Sequence, residues 1–174
     1  DLSKNSIEIA QKSERENLSF FVHDMREQFR IDCFDYIFNF FTSFGYFDET
    51  GDNDRVIHAV AEGLKPGGTF VIDFMNAAKI VAGLVPSETK VINDIEFKIN
   101  RRLENRKIIK TIDFAVSGES YHFEEKVSDL QLIDFEGFFK NNGLQITNIF
   151  GDYNLNNFDV DTSDRLILVA QKPG

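Results

Sequence analysis

The side chains that could do chemistry in this 174-residue chain gather at the ends of apolar runs. His23-Asp24-Met25 follows Leu18–Val22, Asp73-Phe74-Met75-Asn76 ends the run from Thr69, and Asp1 stands just before the helix cap Ser3. Phe34–Phe41 carries Asn39 near its end and leads into Thr42, Ser43, Phe44, Gly45, Tyr46 and Phe47. If the runs are strands, two acidic tips, an amide and an aromatic loop share one rim, where an open α/β sheet binds its ligand. Proton handling would fall best to His122 in Tyr121-His122-Phe123-Glu124-Glu125; His23 reads as structural and His58 as a surface residue of an amphipathic helix. Asp24 has a plainer alternative as the cap of a short following helix. The rings have one too, as core, although Thr42, Ser43 and Gly45 break the strand pattern and turn some of them outward.

The elements that must position these residues follow from periodicity. Leu18–Val22, Phe34–Phe41 and Thr69–Phe74 are near-continuous apolar runs, which suit strands covered on both faces. Helical patterns cover residues 4–15 and 54–64, the second closed by Pro66 and Gly67. Alternating strands and helices predict βα units, a Rossmann-like doubly wound α/β sheet and helices on both its faces. Over 91–132 the pattern becomes apolar-polar alternation, predicting an inserted antiparallel segment with one wet face and a turn at Ser117-Gly118-Glu119. A helix over 134–142 and a closing antiparallel hairpin, Leu144–Phe150 with Arg165–Ala170, complete a single domain over 1–174.

Charge and composition exclude whole classes of function. Nineteen Lys and Arg against 29 Asp and Glu leave a net charge of −10, which repels a nucleic-acid backbone. The one basic cluster, Arg101, Arg102, Arg106, Lys107 and Lys110, is interrupted by Glu104 and reads as the solvated face of a hairpin. No apolar run approaches the ~20 residues of a membrane span, and no signal peptide is expected, since the first residues lack the charged-then-apolar order of one. A lone cysteine, Cys33, makes neither an internal disulfide nor a cysteine metal site, so a cytoplasmic protein without a metal is expected. Nineteen phenylalanines and no tryptophan predict a Phe-packed core.

Asp1-Leu2-Ser3 before a helix, Asp24-Met25-Arg26, and FDYIFNFFTSFGYF followed by LKPGGTFVIDFMN resemble the middle of a class I S-adenosylmethionine-dependent methyltransferase. FEE, FFKNNGLQI, FGDY and RLILVAQK are similar to the C-terminal half of its small-molecule members. The resemblance implies S-adenosylmethionine as cofactor and a small-molecule acceptor. Asp1 would hold the ribose hydroxyls, since one carboxylate can accept two charge-assisted bonds from a vicinal diol. Leu2 would pack on the adenine, Asp24 would accept from its amino group, and Met25 would add apolar contact. Asn39 and Phe40 would lie beneath the methionine portion. Phe44, Tyr46 and Phe47, with Tyr121, His122 and Tyr153, would line the passage to the acceptor. No residue is assigned as catalytic.

The same resemblance implies that two strands and a glycine-rich turn should precede Asp1, so this chain is expected to be an N-terminally truncated fragment lacking its first two strands. Those strands would lie between Leu18–Val22 and Phe34–Phe41, leaving a gapped sheet through which copies could associate. Two alternatives remain at this point: a nicotinamide oxidoreductase or other nucleotide-binding α/β enzyme, and a degenerate Rossmann-like binding or assembly module without catalysis.

Overall fold

The computed structural model describes every residue except Thr50. Helix α1 (Lys4–Gln11) starts where the sequence predicts, with the Ser3 hydroxyl accepting from the Ser6 N–H at 3.2 Å. Strand β1 (Phe34–Asn39), helix α2 (Asp52–Gly63) and strand β2 (Leu64–Met75) form a parallel βαβ unit. After the short helix α3 (Ala77–Ala82) come four successive antiparallel strands, β3 (Ser87–Ile92), β4 (Ile95–Glu104), β5 (Lys107–Val116) and β6 (Glu119–Ser128). Helix α4 (Leu132–Asn141) and the antiparallel strands β7 (Gln145–Phe150) and β8 (Arg165–Gln171) complete the chain. The main sheet has the order β1-β2-β8-β7 and the second sheet β3-β4-β5-β6.

The LKPGG stretch works as a bulge rather than as a free turn. Between the pairs Phe34–Leu64 and Tyr36–Thr69, β2 spends more residues than β1, and Gly67 takes up the excess at a φ of 80°. At Gly68 an added Cβ would lie 2.9 Å from the Lys65 carbonyl oxygen and 3.0 Å from that of Phe34, so only glycine lets the strands close. Beyond the bulge, Phe70, Ile72 and Phe74 of β2 and Leu166, Leu168 and Ala170 of β8 point to one face. There they meet Val56, Ile57 and Ala61 of α2 and Phe135 and Phe139 of α4. Five of the fully buried side chains are phenylalanines, as the composition predicts. The other face carries Tyr36 and Phe38, both exposed, and the partly exposed Val71 and Val169.

The antiparallel sheet runs from Ser87 to Ser128, earlier at both ends than the predicted 91–132. Leu132 belongs instead to α4, and at the other end the Arg101 N–H donates to the Pro86 carbonyl, drawing the pairing back toward Ser87. Its hairpins turn on Asn93-Asp94, Asn105-Arg106 and Ser117-Gly118, all at positive φ, as two-residue loops require. Arg106 on Asp134 at 2.7 Å, and the Ser128 N–H on the Gly45 carbonyl at 2.8 Å, fasten this sheet to the core. Most of the basic cluster is ion-paired: Arg101 meets Glu88, Arg102 meets Glu104 and Glu124, and Lys110 meets Glu125, while Lys107 donates to the Phe47 carbonyl and the Ser128 hydroxyl.

Leu18–Val22 is not a strand. Among the described residues no strand lies beside it, and nearby side chains take its backbone groups: the Phe20 N–H donates to Glu14 and the Phe20 carbonyl accepts from Gln11. Phe21 and Val22 are consequently exposed. α1 likewise ends at Gln11, short of the expected residue 15, because an Arg15–Leu18 bridge folds the chain back. Among the described residues no helix is long and apolar enough to cross a membrane.

Phe135 lies fully buried between Phe44, at 5.7 Å between ring centroids, and Phe74, at 5.4 Å. Phe135→Ala is expected to cost roughly 3–5 kcal/mol of unfolding free energy, whereas Tyr36→Ala on the open face should change it by well under ~1 kcal/mol. Urea titrations of the two variants check this.

Candidate cofactor and acceptor site

The carboxyl ends of β1 and β2 lie side by side, and the start of β8 joins them through one buried carboxylate. Asp73 is 1 % exposed. Its Oδ1 accepts from the Arg165 Nε at 2.7 Å; its Oδ2 accepts from the Phe41 N–H at 2.9 Å and the Tyr153 hydroxyl at 3.0 Å. Arg165 also donates to the Thr42 hydroxyl at 3.0 Å and lies near the Tyr153 ring face. Such a charge is tolerable in a core only when paired and fully hydrogen-bonded, as here. The bonds hold an unusual turn. Phe41 and Thr42 take φ values of 59° and 56°, a left-handed conformation that costs non-glycine residues roughly 1–2 kcal/mol each. Partial desolvation of the Tyr153 hydroxyl, then its bond to Asp73, raise the phenol's pKa.

A second polar cluster organises the N-terminal part. Arg26 donates to both oxygens of Asp24 and, at 2.7 Å, to Asp52 at the start of α2. Asp52 also accepts from Arg55, which reaches Glu27 at 2.6 Å. The bonds from Arg26 hold the Asp24 carboxyl down at a pKa of about 2. Asp1 lies against the same segment, its carbonyl accepting from the His23 N–H at 3.0 Å. A groove of about 310 Å³ opens between this segment and β1, lined by Met25, Phe29, Phe34, Tyr36, Ile37 and Val60 among others.

No protein-family profile and no curated protein sequence matches the chain. Solved structures do. An S-adenosylmethionine-dependent methyltransferase from Clostridium acetobutylicum is similar over 100% of this chain and 74% of its own, with a TM-score of 0.85 at 19% identity. The CcbJ methyltransferase of Streptomyces caelestis is similar over 99% of this chain and 77% of its own, with a TM-score of 0.83 at 12% identity. An amino pentose methyltransferase of Micromonospora echinaspora, solved with S-adenosylmethionine bound, gives 0.68 at 13% identity over 99% of this chain and 72% of its own. The fold is that of the class I S-adenosylmethionine-dependent methyltransferases.

On that methyltransferase fold the expected cofactor residues divide. Asp1 is exposed; its Oδ1 accepts from the Ser3 N–H at 2.7 Å, and Oδ2 has no partner among the described residues. Leu2 is exposed beside it. Asn39 Oδ1, at the end of β1, is buried with no hydrogen-bond partner among the described residues, a state that costs roughly 1–3 kcal/mol unless a donor reaches it. Phe40 is half-exposed and stacks on Phe38 at 5.3 Å. Arg26 donates to both oxygens of Asp24, which fixes a turn; among the described residues no helix follows it, so Asp24 is not the helix cap of the plainer alternative. Met25 faces the groove along β1.

The expected acceptor residues separate further. Phe44 is fully buried among Phe47, Phe74, Phe135 and Phe138, so it is a core residue and not a wall of the passage. Phe47 packs on the same core with Arg26 over its ring at 5.3 Å, and its carbonyl accepts from Lys107. Tyr46 and Tyr153 are 45% and 61% exposed, and Tyr153 meets the carboxyl ends of the strands through Asp73. Tyr121 and His122 sit next to each other on β6 and so point to opposite faces, Tyr121 against Phe114 and His122 onto Asp113 at 2.6 Å. The β6 residue that meets the rim is Glu125, which accepts from the Tyr46 hydroxyl at 2.8 Å. Desolvation, then that bond, push the Tyr46 phenol up to about 12.

Asp73, Arg165 and Glu125 were assigned no role from sequence, and only Asp73 left a signal: an aspartate inside the apolar run TFVIDFM must find a buried partner.

Because the Asp24 pKa is depressed from 3.8 to about 2, its pairing with Arg26 stabilises the fold fully above pH ~4 and is lost as the pH falls through about 2. Asp24→Asn should therefore lower the urea midpoint at pH 6, and the gap from the wild type should close between pH 4 and 2.

Proposed function

We propose that the chain serves S-adenosylmethionine-dependent methyl transfer to a small-molecule acceptor. The observation that carries this reading is the similarity of the whole chain to methyltransferase structures, with the unpartnered Asn39 amide oxygen at the strand end where this fold receives its ligand. When bound, the cofactor supplies a methyl group on a sulfonium, which already holds the chemical difficulty. The protein's share is placement and shielding. Asp1 takes the ribose hydroxyls on its free oxygen, with Leu2 as an apolar neighbour for the adenine. Asn39 accepts from the ammonium of the methionine portion, and Phe40 gives that portion an apolar support. Phe41, Tyr46 and Tyr153 form an aromatic rim on the acceptor side. Aromatic walls are sufficient there because charge is neutralised as the methyl leaves.

The acceptor is small and apolar or amine-bearing. An aromatic rim carrying one carboxylate, Glu125, suits an amine, and one structural neighbour is an amino pentose methyltransferase. A polyanion is disfavoured by the net charge and by the paired basic cluster. Calorimetric titration of S-adenosylhomocysteine into the chain tests the cofactor assignment. Saturable one-to-one binding is expected, weakened about tenfold in Asp1→Ala, a loss suited to charge-assisted hydrogen bonds. Absence of heat and of any thermal shift, both with this chain and with the chain extended upstream, would sink the reading.

A further inference from the structure

The left-handed turn at Phe41-Thr42 invites a functional explanation. A bulky and a β-branched residue occupy φ values that glycine would adopt freely, and the Phe41 ring, 79% exposed, adds little to the core. Strain maintained around an outward-facing ring is expected where the ring's position has a use. What maintains it is specific. Asp73 accepts from the Phe41 N–H, the Thr42 N–H donates to the Asp73 carbonyl at 3.1 Å, and Arg165 grips both the Asp73 carboxylate and the Thr42 hydroxyl. The same Oδ2 that holds Phe41 also holds the Tyr153 hydroxyl. One buried carboxylate therefore fixes two rings contributed from opposite ends of the sequence, at the joined carboxyl ends of β1 and β2.

We propose that Asp73 is a positioning residue for the methyl-transfer site: locked by Arg165, it places the Phe41 and Tyr153 rings as walls around the position of the transferred methyl. The proposal rests on the cofactor assignment above. It divides the site into a part that holds the body of the cofactor, Asp1 and Asn39, and a part that faces its sulfonium, Phe41 and Tyr153. A cation at the methyl position gains from ring faces, whereas a neutral thioether gains little. The ring walls should thus discriminate between ligands that differ only at that position.

Two such ligands are S-adenosylhomocysteine, with a neutral sulfur, and sinefungin, with an ammonium-bearing carbon in its place. Calorimetry with both, on the wild type, Asp73→Asn and Tyr153→Phe, reads the discrimination directly. Asp73→Asn is expected to weaken sinefungin about tenfold and S-adenosylhomocysteine less than about twofold. Tyr153→Phe keeps the ring but frees it from Asp73, and should move the ratio in the same direction by a smaller factor. Should Asp73→Asn fail to fold, Tyr153→Phe decides alone. A merely structural Asp73 would weaken both ligands equally, or lower only the melting temperature; an unchanged ratio overturns the proposal and leaves the cofactor assignment standing. If the wild type binds neither ligand, both as this chain and extended upstream, the cofactor assignment itself has failed, and the proposal with it.

Discussion

The main sheet turns on the pairing of Asp73 with Arg165. A carboxylate nearly sealed from water is tolerated only with its donors in place, so β2, the start of β8, the turn after β1 and the Tyr153 loop must all arrive together. Removing one partner would leave the others with a buried, unanswered charge. That requirement makes the position of the rim as definite as the position of the core, although the rim is made of loops.

The second sheet imposes a different constraint. It is fixed to the core by Arg106 on Asp134, Lys107 on the Phe47 carbonyl, Ser128 on Gly45 and Tyr46 on Glu125, with Val127 buried in the core. Each contact falls at the β6 end of the sheet or in its β4–β5 hairpin, while β3 lies at the far edge. The fold thus presents a broad β-surface beside the rim, anchored along one side. Its sheet carries an aromatic row of Phe97, Phe114, Tyr121 and Phe123, with neighbouring ring centroids 4.8 to 5.9 Å apart.

Much of this was legible in the sequence, and the failures have physical causes. LKPGG marked the end of a helix, though its glycines form a bulge inside β2 and not the expected turn, and the change from continuous to alternating apolar pattern announced the second sheet. The cap at Ser3 and the closing hairpin were equally plain. Leu18–Val22 misled because apolarity measures a tendency to be covered, while a strand also needs a neighbour for its backbone. Phe44 misled because a ring in a loop can turn inward as easily as outward. Asp24 shows the opposite case: the Arg two residues on was in plain view, and its reach to both oxygens made the aspartate structural. Arg165 could not have been matched to Asp73, since nothing local links residues 92 positions apart.

The strand order has a consequence for how the chain acquires its shape. β3 through β6 pair each with the next in sequence through two-residue loops, so that sheet can form from local encounters, which are fast. β2 pairs with β8, whose residues 165–171 are made about a hundred positions later. During synthesis β2 therefore keeps the edge that pairs with β8 open until residues 165–171 emerge. The slow step is closure of a long loop, and the interval before it is when the nascent chain most needs protection from its neighbours.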